Sequence, residues 1–213
     1  MKIAIVGAHG NISMHLHPML KERGHHVRGI IRKPEQADDL ERVGAEPVIC
    51  DIEEEEDISG AVGEVDVVIF AAGAGPGSGA ERKWTVDRDG ALKLIDAAKT
   101  NGINRYIMIS AMGLDEPRGD EVFQVYQRAK AEADQALKQS GLQYAIIKPG
   151  RLTNEKGTGR VALDRQLPAG EIPREAVAAV IAEVLDNPDI DNLELDLISG
   201  DSPIKDAVAR FIT

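Results

Sequence analysis

The sequence predicts an α/β fold built on a doubly wound parallel sheet with helices on both faces, and three observations carry that prediction. Short apolar runs alternate with segments of helical periodicity from the first residues to about residue 150. The run at residues 65–71 is apolar apart from Asp66, as suits a strand buried on both faces of a parallel sheet. A glycine turn joins the first apolar run to the first helical segment, where crossover topology puts it.

The elements follow in order. A strand is expected over residues 2–6 and a helix over 12–20, closed near Gly24. A second strand fits 27–31, a helix with Pro34 in its first turn fits 34–43, and a third strand fits 47–50. The acidic stretch 53–57, of which 53–56 reads as a solvated turn, leads to a short helix near 58–62, and the strand at 65–71 follows. Residues 73–79 are glycine-rich and read equally as a mobile flap or a plain solvent loop. Helical spacing then runs from Trp84 to about Asn101-Gly102, and a fifth strand fits 106–110. A helix over 121–139 and a sixth strand over 144–147, stopped by Pro149-Gly150, complete six strand-helix alternations. Beyond them the sequence offers a loop over 151–159, a helix over 173–185, a strand over 193–198 and a terminal helix over 204–211. One Rossmann-type domain over residues 1–213 accounts for all of this, without repeats or a low-complexity tail.

The bulk properties bound the partners. An apolar content of 43% and a charged content of 29% are those of a globular chain, and no apolar run approaches the roughly 18 residues of a membrane span. The first apolar run breaks at Gly7, too early for a signal-peptide core, so a cytoplasmic location is expected. A net charge of −11 repels nucleic acid and anionic lipid, so the expected partner is a small molecule, and an anionic cofactor needs a local basic patch. Oligomeric state is left open. Cys50 has no second thiol for a disulfide or a zinc site and is expected to be buried structurally. His15, His17, His25 and His26 have no carboxylate arranged with them, so surface or helix-packing roles are expected and no metal.

Gly7-Ala8-His9-Gly10-Asn11-Ile12-Ser13 places two glycines three apart between a strand and a helix, where backbone amides and the positive helix end can hold a pyrophosphate. Gly7 permits the turn and Gly10 the close approach; Ser13 stands where a third glycine would let the helix pack, at a modest expected packing cost. His9 can reach the phosphates, although a solvated loop position suits it better. After the second strand, where a carboxylate would accept hydrogen bonds from the ribose of NAD, the sequence has Arg32-Lys33. Two cations there attract a 2′-phosphate, so NADP is expected over NAD.

These residues carry a family resemblance. The glycine loop, Asp51-Ile52, Ala71-Ala72-Gly73 and the run from Ser140 through Lys148-Pro149-Gly150-Arg151 to Thr153 resemble the atypical short-chain dehydrogenase/reductases. More narrowly, the chain is similar over nearly its whole length to the small NAD(P)H-binding group close to the NmrA-like proteins and to biliverdin and flavin reductases of the B type. The resemblance implies that Asp51 and Ile52 meet the adenine and that Ala71, Ala72 and Gly73 pass beside ribose and phosphates. It also implies that Ser110 faces the nicotinamide and that Pro149 and Gly150 border its pocket. Ser13, and His9 where asparagine or threonine is frequent, depart from the pattern.

Tyr126 and Lys130 stand four apart in a helical segment, hence one turn apart on one face. In carbonyl reduction the new alkoxide needs a proton, and a neighbouring ammonium draws a tyrosine pKa down toward neutrality. Lys130 is thus expected to tune Tyr126 and bind the nicotinamide ribose, with Ser110 adding a hydrogen bond to the carbonyl oxygen. Val122, Val125, Ala129, Ala133 and Ala136 give the same helix a packing stripe, so a half-buried structural tyrosine stays open as the other reading. The function expected is an NADP-dependent oxidoreductase acting on a small carbonyl, quinone or flavin. The alternatives are a non-catalytic NADP sensor and a sugar-nucleotide epimerase or dehydratase, against which the roughly sixty residues after Gly150 argue.

Overall fold

In the computed structural model, which describes residues 1–75, 77–190 and 192–212, the first half follows the expected alternation. It runs β1 (Lys2–Val6), α1 (Asn11–Glu22), β2 (His26–Ile31), a 3-10 turn (Pro34–Gln36), α2 (Ala37–Val43), β3 (Glu46–Ile49), α3 (Ser59–Val62) and β4 (Val67–Phe70). The next helix starts earlier than its apolar spacing suggests: α4 (Ala80–Arg82) continues through a π-helical stretch, Lys83–Asp89, into α5 (Gly90–Thr100). Then come β5 (Arg105–Ile109), α6 (Glu121–Gln139), β6 (Gln143–Pro149), β7 (Arg151–Thr153), β8 (Arg160–Asp164), β9 (Glu171–Pro173), α7 (Arg174–Asp186), β10 (Leu193–Ser199), β11 (Ser202–Pro203) and α8 (Ile204–Ala209).

Nine strands share one sheet in the order β11-β8-β10-β6-β5-β4-β1-β2-β3. From β3 to β10 every neighbouring pair is parallel; β8 runs antiparallel to β10, and β11 antiparallel to β8. The fold is Rossmann-like. Strand alternation sorts the core into two layers. In β1, Ile3 and Ile5 pack toward Leu16 and Leu20 of α1 and Val177 and Ile181 of α7. Ala4 and Val6 face the other way, with Phe70, Leu94 of α5, and Ala133 and Leu137 of α6.

Three expectations need correction. The sixth strand does not stop before Pro149 but includes it, because a proline at a strand end forfeits no required ladder donor. The expected loop at 151–159 begins as β7, which pairs in parallel with β9 as a separate two-stranded sheet. The purely parallel sheet gains the antiparallel edge β8-β11, whose Val161 and Leu163 alternate inward between exposed or half-exposed neighbours.

Strand order reverses at β1, which has β2 on one side and β4 on the other. The loops leaving the carboxyl ends of β1 and β4 therefore diverge to opposite faces and open a crevice, the usual ligand position in such sheets.

Candidate functional site

The crevice is a cleft of about 1250 Å³ whose walls come from the loops after β1, β2, β3, β4, β5 and β6, from the π-helical stretch and from the start of α6. Gly7 has φ +84°, and a Cβ there would stand 2.6 Å from Ala72 Cα and N, so only glycine lets the loops after β1 and β4 touch. A Cβ on Gly10 would meet the Gly7 carbonyl oxygen at 3.0 Å. Gly10 caps α1 without a side-chain hydrogen bond, which leaves the first-turn amides of Asn11 and Ile12 for an anion. Ser13, expected to cost packing, instead donates its buried hydroxyl to the Gly7 carbonyl at 3.0 Å and ties helix to turn. His17 is buried in the same turn, donating Nε2–H to the Ala8 carbonyl at 2.7 Å, and burial lowers its pKa. The helix-packing reading holds for it, and no group of three or more potential metal ligands exists among the described residues.

His9 lines the cleft, but its ring is not simply solvated: Nε2 contacts Asp39 at 2.8 Å and Nδ1 accepts from Gln36 at 3.2 Å, pinning the glycine loop to α2. Arg32 lines the wall beyond β2, whereas Lys33 is exposed outside the lining, its amide turned to the Gln36 side chain. Cys50, Asp51 and Ile52 line the same end. Cys50 is half-buried, so the expected structural burial is only partial. Glu53 stands in the expected turn, but its side chain is half-buried and not simply solvated. It lines the cleft, accepts Thr85 Oγ1 at 2.6 Å, is gripped by Arg82, and has Arg32 Nη1 3.7 Å away. Neither Glu53 nor Arg82 was a sequence candidate, because they stand 29 positions apart and only the fold joins them.

The other end lies past β4 and β5. Ala71, Ala72 and Gly73 form its floor, and Pro149 and Leu152 its far side. Gly150 is not in the lining. A Cβ there would lie 2.3 Å from the Gly170 carbonyl oxygen, so its glycine serves a backbone crossing. Lys130 lines the cleft but is largely buried, donating to the carbonyls of Ile109 at 3.1 Å and Ala72 at 3.4 Å, with Asp87 Oδ1 at 3.8 Å. Asp87, from the π-helical stretch, is fully buried; Oδ2 accepts the Ala74 amide while Oδ1 has no hydrogen-bond partner. Burial pushes its carboxyl upward against the pull of Lys130. A π-helical stretch re-aims side chains that a regular helix would present elsewhere, and here it turns Lys83, Val86 and Asp87 into the cleft.

Ser110 donates its hydroxyl to Asp134 Oδ2 at 2.6 Å. Asp134 is buried one turn beyond Lys130, its other oxygen unpartnered, and burial raises its pKa to about 6. Tyr126 lines the cleft with its ring against Phe123 at 5.7 Å and Lys83 Nζ 5.6 Å from the ring centroid. The expected drop of its pKa toward neutrality is reversed. Burial, seconded by Asp87 and Asp134, drives the phenol far above its ordinary value, so it stays protonated. Lys130 spends its charge on carbonyls and Asp87 instead. Arg174, unforeseen in the sequence, joins this wall from the start of α7.

A crevice at the switch point, two glycines whose side-chain space is filled by backbone, and an uncapped helix end define a dinucleotide-binding Rossmann protein. The chain belongs to the NAD(P)H-binding family, whose profile matches residues 7–188. Over 99% of its length it is 39% identical to the whole of the uncharacterized sugar epimerase YhfK of Bacillus subtilis. A candidate NAD-dependent epimerase/dehydratase from Bacillus halodurans superposes with a TM-score of 0.93, at 37% identity and 99% coverage of both chains. The oxidoreductase ylbE from Lactococcus lactis gives 0.85 at 27% identity, covering 99% of this chain and 96% of that one. The expected membership of an NAD(P)H-binding family is borne out. No helix among the described residues is long and apolar enough to cross a membrane.

Proposed function

We propose that this chain is an NADP(H)-dependent reductase of a small carbonyl, quinone or flavin substrate. The observation that carries the cofactor half is Arg32, a cleft-lining cation where an NAD-specific site would offer a carboxylate. The amides of Asn11 and Ile12 would hold the pyrophosphate, Asp51 and Ile52 the adenine, and Lys130 the nicotinamide ribose. When bound, NADPH supplies the two-electron reducing equivalent.

The chain's own groups would handle the oxygen of the substrate. Tyr126, held protonated, is a hydrogen-bond donor rather than a phenolate, and the lip beside it carries Val122 and Phe123, 39% and 49% exposed, suited to a flat apolar molecule. Ser110 donates its hydrogen bond to Asp134, so it reaches a substrate oxygen as a donor once Asp134 is itself protonated or the hydroxyl rotates.

NADPH oxidation measured against quinones, flavins and aldehydes tests the reading. Turnover with at least one class is expected; tight NADPH binding with no turnover would support the non-catalytic sensor, which the diverted Ser110 and the reluctant Tyr126 favour. Interconversion of a nucleotide sugar without net NADPH oxidation would support the epimerase reading that the Bacillus subtilis relative's name suggests.

A further inference from the structure

We propose that Glu53 is a built-in counter-ion to the 2′-phosphate site, a carboxylate that holds Arg82 and Arg32 together and sets how strongly NADP is preferred over NAD. This rests on the reading of Arg32 as the 2′-phosphate ligand. One oxygen, Oε2, faces both cations: Arg82 donates through Nε at 3.2 Å and through a closer Nη2 contact, and Arg32 Nη1 stands 3.7 Å away. Oε1 takes the Arg82 Nε and Thr85 hydroxyl contacts at 3.2 and 2.6 Å. All three charged side chains line the cleft beside Asp51 and Ile52, so the cluster stands where the adenosine ribose is expected.

The charge count decides the effect. Within the Arg32–Glu53–Arg82 cluster two guanidiniums and one carboxylate leave one net positive charge, with Asp51 alongside as a second carboxylate. A 2′-phosphate brings nearly two negative charges and three acceptor oxygens of the kind a guanidinium fork fits. It can use both arginines only where Glu53 yields them, and it is repelled while Glu53 stays charged. The Arg82 contact does keep Glu53 charged, below the usual carboxylate range. A free 2′-hydroxyl has the opposite need, because Glu53 is then an acceptor. Arg82 pulls the preference toward NADP, and Glu53 pulls it back. Arg82 belongs to α4, next to the glycine-rich segment, and its side chain is 37% exposed, so it can turn from carboxylate to phosphate without unpacking the core.

The test is dissociation constants for NADPH, NADH, 2′,5′-ADP and 5′-AMP, by fluorescence and calorimetry, on wild type, Glu53→Gln and Arg82→Gln, with melting temperatures as fold controls. Glu53→Gln is expected to raise the NADPH:NADH affinity ratio about tenfold, the size of a charge repulsion at about 5 Å in a wet site. Arg82→Gln is expected to lower it about tenfold, and 2′,5′-ADP against 5′-AMP should follow the same pattern. Opposite shifts support the proposal; a Glu53→Gln ratio within twofold of wild type, or shifted toward NADH, overturns it. Arg82→Gln is the independent arm: an unchanged ratio there overturns it as well. The wild-type ratio alone judges the NADP reading. A wild type without preference whose Glu53→Gln variant gains one would refute that reading and leave the counter-ion role standing.

Discussion

Asp134 is a buried carboxylate whose pKa is raised to about 6 from 3.8, and its own contribution to stability falls as pH rises. The native state holds the Asp134 proton over a range in which the unfolded chain has lost it. The contribution of Asp134 is therefore highest below the unfolded value and declines until pH passes the folded value. A shift of about two units at 1.36 kcal/mol each amounts to about 3 kcal/mol, roughly half of it lost above pH 5. Asp134→Asn keeps an acceptor for Ser110 and removes the titration. Its amide introduces a constant offset at the unpartnered oxygen, but an offset does not change with pH. Urea unfolding of both proteins between pH 4.5 and 8 should give curves that converge or cross, wild type losing stability relative to the variant as pH rises. Parallel curves would refute the assignment of a raised pKa to Asp134, and a wild type gaining on the variant would reverse its sign.

Three other predictions follow from the cleft. Gly7→Ala meets both a left-handed φ, worth about 1–2 kcal/mol, and the Ala72 backbone at 2.6 Å, whereas Gly24→Ala at φ +74° meets nothing within 4 Å. Dinucleotide binding should fall more than about tenfold in the first and persist in the second; equal losses would show that the clash is irrelevant. Tyr126→Phe should lower kcat by about 10²-fold, the low end for a donor so weakly acidic, and the wild-type rate should show no phenol limb below pH 10. Unchanged turnover of every accepted substrate would remove Tyr126 from the chemistry. Ser13→Ala should cost about 1 kcal/mol in urea unfolding for the lost Gly7 hydrogen bond, and a variant as stable as wild type would contradict that role.

Much of the frame was legible because it follows from periodicity. The apolar run Val67–Phe70 read as an interior strand, and Glu121–Gln139 was marked by its own apolar stripe; the Asp120 carboxylate that caps the Phe123 amide at 2.8 Å came only with the structure. The glycine loop was legible because Gly7 and Gly10 are needed for backbone reasons that the sequence displays. What escaped has no local signature. The β7-β9 pair is three residues long on each strand, and a π-helical turn has no apolar period of its own. Asp87 and Asp134 look like solvent-facing acids on amphipathic helices, yet the fold buries both against Lys130. For Tyr126 the larger effect is burial of the phenol itself, with the two carboxylates second. A Tyr-Lys spacing states that an ammonium is near, not that two carboxylates and a dry wall are nearer in effect.

The central claim is that the Gly7–Gly10 crevice binds NADP in preference to NAD through Arg32, and titration of the wild-type protein with NADPH and NADH at one ionic strength tests it most directly. One charge-assisted contact to a phosphate is worth about 1.5–3 kcal/mol, so NADPH should bind at least about tenfold more tightly, and the gap should narrow as salt is raised. NADH binding as tightly as NADPH, or neither binding, would contradict the account.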